Sequence, residues 1–315
     1  MKLVIQVPAW NEEAQLGSTL ASLPTVINGV DEIVVQVVDD GSDDRTAEVA
    51  AAHGADVVRL PIHRGLAVAF AAGLSAAIDR GADIVVNTDA DGQYDSRDIP
   101  ALIGPILDGD AQMVIGDRQV DSIPHFSASK RLLQKLGSWV VRRLSRTTVR
   151  DATSGFRAIS REAALKLHVF TRFTYTLETI LQAGEAGLKV VSVPIRVTGS
   201  DRRPSRLFHS NLGYVLRSLE SIARIVVLYN PLRIFLRVGA VPVVIGVGLL
   251  LRFLVYFLIG DSPAGHIQSL ILAVILIVVG IQVWVVGIVA DLIAVNRRLL
   301  EEAVERQRDD LSRSP

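Results

Sequence analysis

Two carboxylates that follow a buried-looking strand are the residues of this sequence best suited to chemistry. Asp89 and Asp91 follow the apolar run 84–86 after two polar residues, and one residue separates them. Neighbouring carboxylates repel each other unless a positive charge lies between them, and such oxygen ligands suit Mg²⁺ or Mn²⁺. Gln93 continues the alternation with a neutral oxygen. The pattern predicts a divalent cation site, and its alternative is a polar turn that leaves a strand.

Two more predicted strands also end in polar residues. The run 32–38 is followed by Asp39 and Asp40, and the run 3–7 leads into three further candidates: Pro8, Asn11 and Glu12. Open α/β sheets bind ligands where the carboxyl ends of parallel strands meet, so we expect these side chains near Asp89. The chain contains neither G-x-G-x-x-G nor G-x-x-x-x-G-K-[ST], which argues against a dinucleotide fingerprint or a P-loop.

The connections between these strands have the pattern of helices. We predict helices that end near Leu23, that span 46–52 and that span 66–77. Gly41 permits a tight turn after the second strand, and Ser42 or Asp43 is the expected cap of the helix over 46–52. A strand, a polar turn and a helix in repeated order indicate an α/β domain.

An ordered set of motifs carries a family resemblance. The set comprises Pro8-x-x-Asn11-Glu12, Val38-Asp39-Asp40-Gly41-Ser42-x-Asp44-x-Thr46 and Asp89-Ala90-Asp91-Gly92-Gln93. These motifs resemble inverting glycosyltransferase family 2, which implies a GT-A fold, a Rossmann-like mixed sheet flanked by helices. Gly116-Asp117-Arg118 and the stretch 150–157 resemble its polyprenyl-phosphate, dolichol-phosphate mannose synthase-like branch. The resemblance covers about residues 1–210.

The resemblance implies a reaction and a metal. The donor would be a nucleotide diphosphate sugar, and the acceptor would be dolichyl or undecaprenyl phosphate. Mg²⁺ or Mn²⁺ held by Asp91, with Asp89 and Gln93, would neutralise the leaving diphosphate. A phosphate monoester is already an anionic nucleophile, so no strong general base is required.

The resemblance also assigns residues to the two substrates. The nucleotide-binding candidates are Pro8, Asn11, Glu12, Asp39, Asp40 and Asp89, with the role of Asp40 left open. Arg118 and Arg131 match positions that grip the acceptor phosphate. Arg202 is a further candidate phosphate contact, with Arg203 as its alternative, although the glycine of the family's loop is missing here. Arg157 is interpreted as holding a loop of the site, and Glu178 as either structural or facing the sugar.

Two long apolar stretches follow the predicted catalytic domain. The spans 235–259 and 269–290 are each long enough to cross about 30 Å of hydrocarbon as a helix. We therefore expect a GT-A domain over 1–210 and a transmembrane hairpin over 234–296. An amphipathic juxtamembrane helix over 211–233 packs either on the domain or on the bilayer. A charged cytoplasmic tail is expected over 297–315, and its part over 301–315 is expected to be a helix end that frays into disorder.

Basic residues predict how the hairpin is oriented. Arginines flank the two spans at 224, 233, 237, 297 and 298, whereas the connecting residues 260–266 contain no Lys or Arg. The positive-inside rule then places both termini and the catalytic domain in the cytoplasm. Since the first strand begins within a few residues of Met1, we expect no signal peptide. The basic helix face with Arg131 is either solvated or turned toward anionic lipid.

Composition excludes several classes of protein. The formal net charge is zero, so a nucleic-acid partner is not expected, and the absence of cysteine excludes disulfides and thiolate metal sites. A homo-oligomer remains open. Two alternatives to the main interpretation remain: a family 2 transferase with a neutral lipid or polysaccharide acceptor, and a catalytically silent membrane scaffold. The chain lacks the Gln-x-x-Arg-Trp motif of processive synthases, and the intact Asp89 and Asp91 argue against a scaffold.

Overall fold

The chain divides into two compact units. The computed structural model describes residues 1–119, 128–169, 175–197, 220, 223–224, 227, 231–259 and 267–313. Residues 1–218 with 304–315 form the first unit, and residues 219–303 form the second. Most of the predicted juxtamembrane helix over 211–233 lies outside the described residues. The predicted phosphate-contacting loop around Arg202 and the connection 260–266 lie wholly outside them.

The first unit is built on a mixed sheet of seven strands. In chain order the strands are β1 (Lys2–Ala9), β2 (Glu32–Asp39), β3 (Asp56–Arg59), β4 (Ile84–Asn87), β5 (Met113–Asp117), β6 (Arg157–Ser160) and β7 (Val190–Pro194). They lie in the order β3-β2-β1-β4-β6-β5-β7, and β6 is antiparallel to both of its neighbours. The predicted Rossmann-like mixed sheet is confirmed.

The reversed strand β6 changes which residues reach the functional edge of the sheet. The other strands are parallel in their pairings and end at one edge, where Ala9, Asp39 and Asn87 lie. β6 begins at that edge instead, with Arg157 in register with Asn87. The residues that precede β6 are therefore brought beside the residues that follow β4.

Helices cover both faces of the sheet. Their bounds are α1 (Leu16–Ser22), α2 (Thr46–Ala52), α3 (Leu66–Asp79), α4 (Ile99–Leu107), α5 (Ala128–Ser145), α6 (Arg161–Lys166) and α7 (Tyr175–Glu185), with a 3₁₀ turn at Ser96–Asp98. Strand residues alternate between faces, so Leu3, Ile5 and Val7 join a core with α1 and α4. Each such fully buried side chain contributes about 1.5–3 kcal/mol.

The opposite face of the sheet carries a buried row of amide side chains. Gln6 of β1 is in register with Gln36 of β2 and Asn87 of β4, and all three side chains are buried. Gln6 Nε2 donates to Asn87 Oδ1 over 2.8 Å, and Gln36 Nε2 donates to the carbonyl of Gly73 over 2.9 Å. Because an unpaired buried amide is costly, these bonds fix the central strands to α3 and to each other.

The predicted cap of α2 is wrong. The backbone N–H of Thr46 donates to Asp44 Oδ1 over 2.9 Å, whereas neither Ser42 nor Asp43 caps the helix. Ser42 Oγ instead accepts from the N–H of Asn11, 31 residues earlier. The local sequence pattern predicted that Ser42 caps the helix, but its side chain makes a long-range hydrogen bond instead.

The second unit contains two long apolar helices, α8 (Pro231–Ile259) and α9 (Ile267–Arg313). Each is long and apolar enough to cross a membrane, and only 11% and 17% of their most apolar windows are buried. A core helix of a soluble protein would be mostly covered, so this exposure favours membrane association. The helix continues to Arg313, whereas we expected fraying over 301–315. The segment is rich in Leu, Glu and Arg, which favour helices.

Small residues let the two apolar helices approach closely. Gly239 and Gly246 of α8 are seven residues apart, and α9 carries small residues at the same interval: Ala273, Gly280, Gly287 and Ala294. A Cβ on Gly280 would lie 2.7 Å from the carbonyl oxygen of Gly239, and Trp284 Nε1 donates to the Leu236 carbonyl over 3.0 Å. The small residues at this seven-residue interval form the contact between α8 and α9 within one chain. The interval does not match the GxxxG pattern of helix dimers.

We predict that Gly280→Leu lowers the melting temperature of the full chain in detergent, because its Cβ would lie 2.4 Å from Val243 Cγ2. Gly248→Leu is the matched control, since nothing lies within 4 Å of a Cβ at that helical position. The measurement is a thermal melt followed by Trp fluorescence. Equal melting temperatures for the two variants would contradict the helix contact.

A second prediction concerns the turn that follows β2. Gly41→Ala combines a positive φ of 65° with a Cβ only 2.4 Å from the backbone carbon of Ile62. Gly54→Ala carries similar backbone strain, at φ 75°, in open space. Strain alone costs about 1–3 kcal/mol, so Gly41→Ala must lower the melting temperature more than Gly54→Ala does. Equal losses would show that the close approach is unimportant.

Candidate functional site

Asp89 and Asp91 lie just beyond the end of β4, at the functional edge of the sheet. Asp91 is exposed and accepts a hydrogen bond from the N–H of Gln93 over 3.0 Å. Asp89 is partly exposed, and among the described residues no side chain or backbone group donates a hydrogen bond to it. The predicted residues are therefore brought together, with Asp89 facing the neighbouring Asp91 charge.

The pKa of Asp89 is raised because its surroundings disfavour the ionised carboxylate. Burial and, second, the charge of Asp91 raise this pKa to about 7, although the guanidinium groups of Arg118 and Arg157 act in the opposite direction. The ionised form of a carboxyl group in this environment is strongly stabilised by a bound cation. The donor set thus fits a hard divalent cation.

The protein provides only part of a coordination shell. The described residues contain no group of three or more His, Cys, Asp or Glu side chains arranged to hold a metal. Mg²⁺ is commonly bound through one or two carboxylates together with substrate phosphates and water. Asp89, Asp91 and the half-buried Gln93 match that pattern, in which the substrate completes the site.

The loop before β6 lies against Asp89. The N–H of Gly155 donates to Tyr94 Oη over 3.1 Å, and the carbonyl of Gly155 accepts from Asn87 Nδ2 over 2.9 Å. A Cβ on Gly155 would stand 3.0 Å from Asp89 Oδ1 and 3.0 Å from Tyr175 Oη. Burial, with the Asp89 charge, raises the pKa of Tyr94 to about 12, so its hydroxyl stays protonated.

Arg157 holds the loop before β6 in place. Its guanidinium is fully buried and donates to the carbonyls of Ser154 and Thr176 and to Thr179 Oγ1. The guanidinium also lies over the Tyr175 ring, 5.2 Å from the ring centroid. These contacts tie the loop to α7, as the sequence interpretation of Arg157 expected.

The segment after β1 is clamped to the segment after β2. Asn11 has a φ of 54°, its N–H donates to Ser42 Oγ over 2.9 Å, and its Oδ1 accepts from the N–H of Asp43 over 3.0 Å. The N–H of Glu12 donates to Thr46 Oγ1 over 2.9 Å. Asn11 therefore shapes this part of the edge, and its direct contact with a nucleotide stays a prediction.

The two carboxylates after β2 have different surroundings. Asp39 is fully buried; its Oδ1 accepts from the N–H of Ser42, and its Oδ2 lies 3.2 Å from Arg59 Nε without a hydrogen bond. Asp40 accepts from the backbone N–H groups of Arg64 and Gly65, each over 2.8 Å. Asp39 thus lies against Arg59 as an ion pair, whereas Asp40 secures the loop before α3.

An aromatic stack borders these carboxylates. The ring of Trp10 lies over that of His63 at 4.0 Å with an interplanar angle of 21°, and His63 Nδ1 lies 2.8 Å from Asp40 Oδ2. Trp10 retains 36% of its surface exposed. Asp40 therefore orients His63, and His63 supports an exposed indole beside the β1 and β2 loops.

Arg118, the candidate phosphate contact after β5, is paired with a carboxylate. Its Nε and Nη2 donate to Asp151 over 2.6 and 3.0 Å, and Nη2 also donates to Thr153 Oγ1 over 2.7 Å. Burial alone would raise the pKa of Asp151, but the hydrogen bond and charge of Arg118 hold it below its usual value. Contact between Arg118 and a substrate phosphate stays a prediction.

The remaining candidates are placed only in part. Arg131 lies within α5, and Arg202 lies outside the described residues. Glu178 is 1% exposed within α7, which agrees with the structural alternative for this residue. Pro8 is buried near the end of β1. Of the site residues with described side chains, all lie on the edge formed by the strand ends.

The sequence interpretation missed the buried groups that support Asp89. Asn87, Tyr94 and Tyr175 come from β4, the following turn and α7, and they meet only after folding. Asn87 carries the one available signal, because an amide at the end of a run of buried β-branched residues needs a partner. The Ser154–Arg157 stretch was recognised, but the role of Gly155 was not.

Comparison with known proteins identifies the class of protein to which this sheet, with its paired carboxylates after β4, belongs. Residues 4–167, more than half of the chain, match Glycosyl transferase family 2. The chain belongs to this family and is a glycosyltransferase.

Several relatives extend this assignment. An uncharacterized glycosyltransferase of Mycobacterium tuberculosis is 34% identical over 69% of this chain and 95% of its own length. The dolichyl-phosphate hexose transferase of Haloferax volcanii is 32% identical over 61% of this chain and 81% of its own. The undecaprenyl-phosphate mannosyltransferase of Micrococcus luteus is 29% identical over 62% and 83%.

Solved structures agree with the fold. Glucosyl-3-phosphoglycerate synthase from Mycobacterium tuberculosis, in complex with Mn²⁺, uridine diphosphate and phosphoglyceric acid, aligns with a TM-score of 0.53. It is 26% identical, and the alignment covers 70% of this chain and 78% of the neighbour's own chain. The GT-A fold expected from the motifs is confirmed, and this neighbour binds a divalent cation with a nucleotide.

We predict that Asp151→Asn destabilises the full chain by about 3–5 kcal/mol at pH 7, because it leaves the buried charge of Arg118 without its partner. The folded pKa of Asp151 lies below its unfolded value. The stabilisation is therefore complete above about pH 5 and is lost as the pH falls below about 4.

The measurement is the denaturant midpoint of both proteins between pH 3 and 8. The gap between the midpoints should be constant at neutral pH and should shrink in acid. A gap that widens in acid would contradict the ion pair.

Proposed function

We propose that this glycosyltransferase transfers a sugar from a nucleotide diphosphate sugar to a polyprenyl phosphate at the cytoplasmic face of a membrane. The observation that carries the proposal is the Asp89 and Asp91 pair at the end of β4, with no hydrogen-bond donor to Asp89 among the described residues. The named activities of the Haloferax and Micrococcus relatives, and the two apolar helices, support the lipid acceptor.

Asp89, Asp91 and Gln93 would hold Mg²⁺ or Mn²⁺ together with the donor diphosphate. The cation supplies Lewis-acid neutralisation of the charge that develops on the leaving nucleoside diphosphate. The neighbour crystallised with Mn²⁺ and uridine diphosphate supports this use of the site. The residues of the chain do the rest: they bind, orient and screen two negatively charged reactants.

The nucleoside would lie over the loops after β1 and β2. Asp39 offers a buried carboxylate oxygen that accepts no hydrogen bond, which suits an N–H or hydroxyl donor of the nucleotide. Pro8 and Glu12 border the same edge. Asn11 and Asp40 would contribute by fixing the loops, since their side chains already bind backbone groups.

The acceptor phosphate would approach from the side of β5 and α5. An oxygen of the phosphate attacks the anomeric carbon, the bond from that carbon to the donor diphosphate breaks, and the electron pair leaves with the nucleoside diphosphate. One in-line displacement inverts the anomeric configuration. Arg118, Arg131 and Arg202 are the proposed contacts of the acceptor phosphate. Arg118 would exchange part of its bond to Asp151 for the phosphate.

The two apolar helices would place this reaction at a bilayer. Residues 1–210 form the proposed catalytic domain, 211–233 a juxtamembrane helix, 234–296 a transmembrane hairpin and 297–315 a cytoplasmic tail. The arginines that flank the spans, with the connection 260–266 free of Lys and Arg, support cytoplasmic termini. Lipid acceptor and nucleotide sugar then meet on the same side.

We predict that Asp91→Ala reduces sugar transfer to polyprenyl phosphate by at least about 100-fold, because it removes an exposed carboxylate of the proposed metal site. The melting temperature should change little, since within the described part of the chain this side chain accepts a hydrogen bond only from Gln93 in its own turn. The measurement is labelled sugar that enters the organic phase with Mn²⁺ present.

Asp108→Ala is the matched control, because this exposed carboxylate lies at the end of α4 away from the strand ends. Its transfer rate should equal that of the unaltered chain. Full activity of Asp91→Ala would contradict the metal assignment, and activity unaffected by chelation would do so independently.

A further inference from the structure

Gly155 lies directly against the carboxylate that the proposed metal site needs. A Cβ at this position would stand 3.0 Å from Asp89 Oδ1 and 3.4 Å from Asp89 Oδ2. Gly155 is not among the glycines with positive φ, so its backbone would accept an alanine. The carboxylate of Asp89 therefore occupies the space beside Gly155, and a Cβ there would be closer to Asp89 Oδ1 than ordinary van der Waals contact allows.

The peptide groups of Gly155 are held from two directions. Tyr94 Oη accepts from the N–H over 3.1 Å, and Asn87 Nδ2 donates to the carbonyl over 2.9 Å. Asn87 is itself fixed by Gln6, and the ring of Tyr94 stacks on that of Phe156 at 5.1 Å between centroids. All four supporting side chains are buried. These contacts therefore keep the backbone of Gly155 from moving away from Asp89.

The far side of the same contact is equally fixed. A Cβ on Gly155 would also stand 3.0 Å from Tyr175 Oη, which accepts from Asn87 Nδ2 over 3.1 Å. The Tyr175 ring stacks on Phe70 at 4.0 Å. Of the three atoms nearest to this Cβ, Tyr175 Oη is held by a hydrogen bond, whereas the two carboxylate oxygens of Asp89 accept none from the described residues. The Asp89 carboxylate is therefore the group that shifts when Gly155 is enlarged.

We propose that Gly155 is a positioning residue that fixes the Asp89 carboxylate for cation binding, and that Tyr94 and Asn87 act on Asp89 through it. The inference rests on the proposed metal site of the transferase. Groups that orient a ligand carboxylate commonly change metal affinity by about 10–100-fold when they are altered. The expected consequence is a loss of cation affinity without loss of the fold.

The test is Mn²⁺ binding by the full chain in detergent, measured as the free Mn²⁺ signal in electron paramagnetic resonance, with UDP or GDP present. Gly155→Ala should weaken Mn²⁺ binding by about tenfold. Gly104→Ala is the matched control: it adds the same methyl group within α4, where nothing lies within 4 Å, and its affinity should be unchanged. Thermal melts report whether each variant is folded.

Tyr94→Phe provides a second, independent variant. It keeps the ring and removes the oxygen that accepts from Gly155, so the proposal expects weaker Mn²⁺ binding here too, even if Gly155→Ala fails to fold. Unchanged Mn²⁺ affinity in a folded Gly155→Ala or Tyr94→Phe protein would overturn the inference. Unchanged affinity in Asp91→Ala would instead overturn the proposed metal site itself, so the two failures are distinguishable.

Discussion

The repulsion between Asp89 and Asp91 is the constraint on which the rest of the site depends. Asp89 follows a fully buried strand and is poorly solvated, and its pKa rises to about 7 because of this burial and the charge of Asp91. The charges of Arg118 and Arg157 partly lower this pKa, but both guanidinium groups are hydrogen-bonded to other partners. In the proposed function, a cation with a diphosphate would complete this site in charge and in coordination.

The reversed strand β6 explains how so many groups converge on these carboxylates. A parallel strand delivers to the functional edge only the residues that follow it. Because β6 runs the other way, it delivers the residues that precede it, including Asp151 and Gly155. Asp151 then pairs with Arg118, and Gly155 lies against Asp89. One topological feature thus sets both the proposed metal side and the proposed acceptor side of the site.

The local pattern of the sequence was sufficient for much of this architecture. The apolar runs before Asp39 and Asp89 predicted β2 and β4, and the motif order predicted the fold and the family. The pattern could not predict what long-range contacts decide. Asn11 and Asp40 carry family motifs, yet their side chains bind backbone groups 32 and 24 residues away. The support of Gly155 by Tyr94 spans 61 residues and leaves no local signature.

The central claim is that the acceptor is a phosphate carried by a polyprenyl chain. Its most direct test gives the full chain in detergent a panel of labelled nucleotide sugars with Mn²⁺, and compares undecaprenyl or dolichyl phosphate with the corresponding alcohol. We predict label in an acid-labile lipid only with the phosphate, and loss of that label on chelation. Equal labelling of the alcohol, or labelling that survives chelation, would contradict the account.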